Sequence, residues 1–402
     1  MCQHMLFNAP LHHGQVEPRL HVSARVMELP GFPSTTLYKV PRGQRFPLVE
    51  YPIVNVAAAG HTWLNLYGFV GMAPSRPQFD EFPIFADGLN EAGLSCAALW
   101  CPGTRYPEPG SGNNLFYADF VPWALGRFAT VAELEKELKS GAVRLFGPKA
   151  DSKFYMPLHF ISVDSTGACL VVECMNGEMQ VYGQEYEARH HDGLGATVAG
   201  ALSNAPSYDW HRTNITFYGN FTPFSEETST TKMYPPPGCG QVGLPADASS
   251  PSRFVRAAFY QQAFSRLPKD GGGWLPAPQR TASVPLGGEP YSHSVQTLVN
   301  VALQATQIVM GTPYGTLLSE TPEGGSKKVG VGDYCNWTVV RDHTNKTLYY
   351  TSAFNNLLQR IDLNGLKFDD RARMPDFPSI AVIPPARNEW YQEATGAFVQ
   401  PR

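Results

Sequence analysis

No stretch of this chain is apolar for anything near the ~18 residues that a membrane-crossing helix needs, which argues against a helical span. Met1 to Gln15 shows no basic segment followed by an apolar one, so no secretion signal is expected and the location reads as cytoplasmic. Positive charge is not in surplus: 31 Lys and Arg stand against 35 Asp and Glu, a formal net charge of -4. That leaves no basic footprint for nucleic acid. Cysteine is sparse and odd in number. The seven, Cys2, Cys96, Cys101, Cys169, Cys174, Cys239 and Cys335, are scattered, which suits a reduced compartment rather than a disulfide framework. The sequons at Asn214, Asn220, Asn336 and Asn345 are then expected to be chance tripeptides. No internal repeat of fixed period is present.

What the chain does have is a globular composition. Of its 402 residues 43% are hydrophobic and 16% charged, enough for a sizeable core. With 37 glycines, 35 prolines and 12% aromatic residues, it reads as a loop-rich α+β protein of short strands. Cys169–Met175 and Glu178–Tyr182 flank Asn176-Gly177, the dipeptide of a type I′ hairpin turn. Asn336–Arg341 and Thr347–Ser352 read as a second hairpin, and His21–Glu28 and Ile53–Ala58 as further strands. Thr130 and Glu133 form a capping box before a helix over Val131–Lys139. Ser250-Pro251 supplies a cap and a first-turn proline before Ser252–Phe264, and Val295–Ile308 is apolar at helical spacing. Met233–Gly238 and Pro268–Pro290 read as loops. Strands and helices cluster rather than alternate, which favours α+β over a doubly wound sheet.

Three tempting motifs lead nowhere. Gly238-x-Gly240-x-x-Gly243 follows prolines and precedes Leu244-Pro245, without the strand and helix that a dinucleotide site requires. Cys96/Cys101 and Cys169/Cys174 are each an odd number of residues apart, which on a strand turns them to opposite faces and disfavours zinc. His12-His13 and His190-His191-Asp192 read as polar loop residues.

The most telling residue is the second. Methionine aminopeptidases remove Met1 when the next side chain is small, as cysteine is. Cys2 would then carry a thiol with pKa near ~8.5 and an amine with pKa near ~8, both titrating close to neutrality. Nucleophile and general base would sit on one residue, the logic of N-terminal nucleophile hydrolases.

Five segments in order resemble the choloylglycine hydrolase family, which includes bile salt hydrolases and penicillin V acylases. They are Met1-Cys2; Ser23-Ala24-Arg25-Val26-Met27-Glu28; Ala86-Asp87-Gly88-Leu89-Asn90-Glu91-Ala92-Gly93-Leu94 with Ala98-Leu99-Trp100-Cys101-Pro102-Gly103; Leu202-Ser203-Asn204-Ala205-Pro206 with Tyr208-Asp209-Trp210-His211; and Leu244-Pro245 through Ser252-Arg253-Phe254. The resemblance runs from Cys2 to about Leu363 and implies a four-layer αββα sandwich, two antiparallel sheets between helix layers. It divides the chain into an amidase domain over 1–368 and a C-terminal extension over 369–402.

The resemblance also assigns roles. Cys2 is the nucleophile, with Arg25 beside the thiol lowering its pKa. Glu28 stands where the family usually has aspartate, orienting the amine. It is one methylene longer, and three residues beyond Arg25 on a strand it faces the other way unless a bulge or strand end intervenes. Asn204 is the side-chain donor of the oxyanion hole and Arg253 the second site arginine. Trp100 falls where bile salt hydrolases carry asparagine and penicillin acylases a bulky aromatic. Its backbone N–H can complete the oxyanion hole while its indole walls the acyl pocket. The implied reaction is hydrolysis of a linear non-peptide amide through a thioester acyl-enzyme, with no metal and no cofactor. The partner is a small-molecule amide, with neither nucleic acid nor membrane, and the family implies a homotetramer. The first reading is an N-acyl amide acylase of the penicillin V kind; the alternative is a conjugated bile salt hydrolase. From another class comes an inactive binding protein on the same fold, and last a nucleotide-binding oxidoreductase.

Overall fold

The computed structural model of the chain describes residues 2–10, 19–30, 34–48, 60–75, 83–190, 198–219, 221, 239–265, 292–310, 318–322, 328–369 and 376–382. In chain order its strands are β1 (Cys2–Pro10), β2 (Arg19–Pro30), β3 (Thr35–Val40), β4 (Arg45–Phe46), β5 (Trp63–Leu64), β6 (Phe69–Pro74), β7 (Asp87–Asn90), β8 (Ser95–Trp100) and β9 (Asn113–Phe116). They continue as β10 (Val143–Phe146), β11 (Leu158–Val163), β12 (Cys169–Met175), β13 (Glu178–Tyr182), β14 (Leu318–Pro322), β15 (Lys328–Asp342), β16 (Thr347–Ser352), β17 (Asn355–Asp362) and β18 (Ser379–Ala381). The helices are α1 (Phe120–Arg127), α2 (Val131–Ser140), α3 (Gln184–Arg189), α4 (Tyr208–Asn214), α5 (Ser250–Ser265) and α6 (Ser292–Val309).

Two antiparallel sheets carry the architecture. The first runs β1-β2-β15-β16-β17, with β14 paired to β15. The second runs β13-β12-β11-β8-β7-β6-β3-β18. Helices α5 and α6 pack on β1 and its neighbours, α1 on β7 and β8, and α2 against β12 and β13. The layers are therefore helix, sheet, sheet, helix, the αββα sandwich.

The second sheet is buried on both faces, and its side chains sort by the two-residue period of a strand. From β8, Cys96 and Ala98 join Phe120, Trp123 and Leu134 under the α1/α2 layer. Ala97 and Leu99 instead join Met5, Val339 and Leu298 of the other core, which runs between the sheets and under α5/α6. This is why β8 is buried from Ser95 to Leu99 without a polar break and shows no alternation in the sequence.

Local chemistry sets the element ends. Asn176 and Gly177 take positive φ angles of 55° and 81°, the conformation that lets β12 turn directly into β13. The Thr130 hydroxyl accepts from Glu133 N–H while Glu133 reaches back to Thr130 N–H, completing the capping box of α2. Helix α5 starts at Ser250, so Ser249 rather than Ser250 stands at its cap position, its hydroxyl 3.5 Å from Ser252 N. The second expected hairpin is β15–β16, and His21–Glu28 lies within β2. Phe377 is buried and β18 pairs with β3, so part of the chain beyond residue 368 is an edge strand of the second sheet. The expected strand at Ile53–Ala58 and the loops at Met233–Gly238 and Pro268–Pro290 fall outside the described residues. Among the described residues no helix is long and apolar enough to cross a membrane.

Candidate active site

Cys2 is the first residue of β1, paired across the ladder with Met27 of β2 and 1% exposed. His4 pairs with Arg25, so Arg25 and Met27 share the face of β2 on which the Cys2 side chain lies. Arg25 Nη2 approaches Cys2 Sγ to 3.8 Å and Met27 Sδ to 3.3 Å, and donates to Ala98 O at 2.5 Å. The guanidinium is fully buried and lies 5.8 Å from the ring centre of Trp337.

A buried cation on an apolar strand needs an anion. Asp87, the first residue of β7, supplies it: its Oδ2 is 3.3 Å from Arg25 Nη1. The same carboxylate is gripped from the other side by Arg341 of β15, through Nε at 2.9 Å and through Nη2. Arg341 Nη1 also donates to Ser23 Oγ at 3.1 Å. An Arg25–Asp87–Arg341 chain thus ties both sheets together behind the thiol.

Glu28 lies one residue beyond the Cys2–Met27 pair, 2% exposed, and opposite Cys335 of β15. The ladder between β2 and β15 shifts register between Cys335 and Trp337. The extra residue is Asn336 of β15; β2 itself continues unbroken from Arg19 to Pro30, with Glu28 just past the end of the β1 pairing.

Asn204 lies on the segment before α4, and its amide orientation is fixed by its surroundings. Oδ1 faces two donors, Cys2 N at 3.0 Å and Arg253 Nη2 at 2.6 Å, while Nδ2 donates to Trp100 O at 2.5 Å. Arg253, in the first turn of α5, also donates through Nη1 to Cys2 O at 2.7 Å and through Nε to Ala248 O at 3.0 Å. Both peptide groups of Cys2 are thereby held by side chains from distant segments. Ser250 Oγ accepts from Asn204 N at 2.9 Å, and His211 Nε2 is 2.9 Å from Asn204 O.

The electrostatics single out one thiol. Burial pushes the Cys2 thiol up, but the Arg25 charge, the positive charge of the chain terminus and the backbone N–H groups of Trp100 and Glu28 outweigh it and leave it below its ordinary value. Burial dominates at the others: Cys96, Cys169 and Cys174 are pushed up to about 12 and Cys335 to about 11. Cys2 lines an apolar cavity of about 30 Å³ together with Met27, Leu29, Ile84, Phe85, Trp100 and Met156. Trp100, at the end of β8, is 40% exposed and forms part of this wall rather than of the core.

Of the six residues singled out from the sequence, Cys2, Arg25, Trp100, Asn204 and Arg253 are thus gathered around one thiol, and Glu28 reaches it through its backbone N–H. Sequence reasoning missed Asp87 and Arg341. It also missed a fully buried pair, His159 and Glu173, whose Nδ1 and Oε1 are 2.8 Å apart. The available signal was a charge inside an apolar strand, as at Glu173 in Cys169–Met175.

Comparison with known proteins bears on the family and the fold. The chain resembles the bile salt hydrolase/transferase of Clostridium perfringens, 31% identical over 212 residues, which cover 51% of this chain and 59% of that protein. It also resembles the bile salt hydrolase/transferase of Lactiplantibacillus plantarum, 28% identical over 225 residues, covering 54% and 61%. The matched stretch thus spans about three fifths of the length of these curated relatives. Among solved structures, the conjugated bile acid hydrolase from Clostridium perfringens superposes with a TM-score of 0.64 at 21% identity, covering 96% of this chain and 97% of that one. The penicillin V acylase from Agrobacterium tumefaciens superposes with a TM-score of 0.61 at 21% identity, covering 92% and 89%. The model of the linear amide C–N hydrolases, choloylglycine hydrolase family, matches residues 17–273. The chain belongs to the choloylglycine hydrolase family of linear amide C–N hydrolases.

Proposed function

We propose that this chain hydrolyses linear non-peptide amides with Cys2 as nucleophile, after removal of Met1. The observation that carries the reading is the Cys2 thiol, drawn toward its anion beside Arg25 while burial drives Cys96, Cys169, Cys174 and Cys335 the other way. The thiolate attacks the amide carbonyl, forming the S–C bond and placing negative charge on the carbonyl oxygen. Two donors serve that charge: the second N–H of Asn204 Nδ2, whose first goes to Trp100 O, and the Trp100 backbone N–H. A fixed donor of this kind is worth about 3 kcal/mol of barrier.

As the C–N bond breaks, the leaving amine takes a proton from the Cys2 α-ammonium, oriented by Asn204 Oδ1 and by Glu28. The amine so freed accepts a proton from water, which attacks the thioester and releases the acid. Arg253 has a positioning role, fixing Cys2 O and Asn204 Oδ1.

The apolar lining supports an aromatic or aliphatic acyl group stacked on Trp100, the N-acyl amide acylase reading. A second reading, conjugated bile salts, is favoured by the relatives from Clostridium perfringens and Lactiplantibacillus plantarum. A panel containing penicillin V, long-chain acyl amides and glycine-conjugated bile acids, assayed for amine release, separates the two. Intact mass of the working protein should lack Met1, and Cys2→Ser should abolish turnover while substrate still binds. Full turnover with Met1 retained would end the mechanism; retained Met1 without turnover on any amide would favour a binding protein. The homotetramer that the family resemblance implies is tested by sedimentation.

A further inference from the structure

The strongest unassigned cluster is Cys101, His159 and Glu173, all fully or almost fully buried, with ligand-type atoms within 4.8 Å of one another. A metal would need a lone pair from the imidazole, and the geometry leaves none. His159 Nδ1 faces Glu173 Oε1 at 2.8 Å and Nε2 faces the carbonyl oxygen of Ser203 at 2.9 Å. A carboxylate and a carbonyl only accept, so both ring nitrogens must carry protons to make both bonds. His159 is therefore an imidazolium, neutralised by Glu173.

The pair grips one short segment twice. The imidazolium holds Ser203 O, the peptide oxygen immediately before Asn204. Glu173 Oε2 accepts from Tyr208 N at 2.9 Å, at the start of α4. Residues 203 and 208 are thus stapled to two interior strands of the second sheet, β11 and β12. His159 is one step beyond the Phe160–Val172 pair, across from Glu173. Between the staples lies Asn204, whose side chain spans Cys2 N and Trp100 O. We propose that the buried His159–Glu173 ion pair is a positioning element of the oxyanion hole, acting with Arg253 and setting where Asn204 Nδ2 points through the Ser203 carbonyl and the Tyr208 amide. This rests on the reading of Asn204 as the oxyanion donor.

Burial pulls the His159 ring toward neutrality, but Cys101 and Glu173 overcome it and raise its pKa to about 10. The groups facing the ring are Cys101 after β8, Glu173 on β12 and His211 on α4.

The test is a double-mutant cycle of His159→Gln and Asn204→Ala on the amide turned over best in the panel above. A glutamine side chain in place of the imidazolium can donate at only one of the two places and carries no charge. Because a ~1 Å misplacement can cost about 10² in rate, His159→Gln should lower kcat by about 10–10². KM should hold, and so should the rate at which iodoacetamide labels Cys2, because Arg25 is untouched. In the Asn204→Ala background the same change should have no further effect on kcat. Equal losses in both backgrounds would overturn the proposal and leave Asn204 as the donor. An Asn204→Ala variant with unchanged kcat would instead remove the donor reading, and the proposal with it. A third measurement needs no variant. In the ring-¹⁵N spectrum of the wild-type chain at about pH 8.5, one imidazolium should persist after ordinary histidines are neutral. None persisting would also overturn it.

Discussion

If the Arg25 charge makes Cys2 a nucleophile, Arg25→Gln should leave a folded protein with a sluggish thiol. The fold should survive because Asp87 keeps both bonds to Arg341, so no carboxylate is left bare between the sheets. The electrostatic loss follows from the 3.8 Å separation of Arg25 Nη2 and Cys2 Sγ. At an effective dielectric near 20, two unit charges at that distance attract by about 4 kcal/mol. The positive chain terminus and the backbone N–H groups of Trp100 and Glu28 remain and retain part of the effect. The thiolate fraction at neutral pH should therefore fall by about 10²–10³, at ~1.4 kcal/mol per decade. The assay is the rate of Cys2 alkylation by iodoacetamide against pH, followed by mass spectrometry of the N-terminal peptide. Cys96, Cys169 and Cys174, pushed up to about 12, and Cys335, pushed up to about 11, should stay slow throughout. A fall of less than about three-fold, with the melting temperature unchanged, would mean that Arg25 supports the strand and does not activate the sulfur.

Two further expectations concern specificity and pH. Trp100→Asn should lower kcat/KM for aromatic acyl amides at least several-fold, since a stacking contact adds roughly 0.5–1.5 kcal/mol beyond its burial, and should leave bile salts unchanged or improved. A variant indifferent to both substrates would take the indole out of the pocket. Stability should fall on acidification from about pH 6.5, above the usual carboxylate range. Burial holds His211 down to about 4 and His343 to about 3, so both must charge on unfolding. Their stabilisation is full above the unfolded value near ~6.5 and is lost as pH falls toward those folded values. His159 has the opposite sign: raised to about 10, its contribution is full below ~6.5 and fades as pH rises through 10. Melting temperatures between about pH 4.5 and 6.5 that do not change would contradict the acid limb, and His343→Gln should flatten it.

Local chemistry was legible in the sequence wherever a few neighbouring residues decide the outcome. Asn176-Gly177 and the Thr130/Glu133 box are of that kind, and both stand in the structure as read. The residues around the thiol were legible only through family resemblance, because Cys2, Arg25, Asn204 and Arg253 are brought together by pairing between distant segments. Asp87 stood inside a quoted segment and was still passed over. Its role depends on Arg341, more than 250 positions away, approaching from the other sheet. Glu173 and His159 escaped for a related reason: their partners are a strand neighbour and two backbone groups, which no side-chain motif records. The bulge near Glu28 lies in β15, at Asn336, where it changes what β2 faces without altering β2, and no residue pattern in Ser23–Glu28 records it.

Strand β2 lies between β1 and β15, and this order has a consequence for how the protein is made. The β1–β2 hairpin is complete after some thirty residues, yet β15 is translated only at residues 328–342. Until then one edge of β2 has no strand beside it, Asp87 lacks its second arginine, and the Arg25 guanidinium lacks the Trp337 ring. Contacts of such long sequence separation close slowly, and an unpaired apolar edge invites association with other chains meanwhile. The thiol site is consequently assembled among the last parts of the molecule. Recovery of Cys2 alkylation during refolding then reports completion of the whole fold, and a chain truncated before residue 328 should retain local helix and hairpin structure without ever acquiring a reactive Cys2.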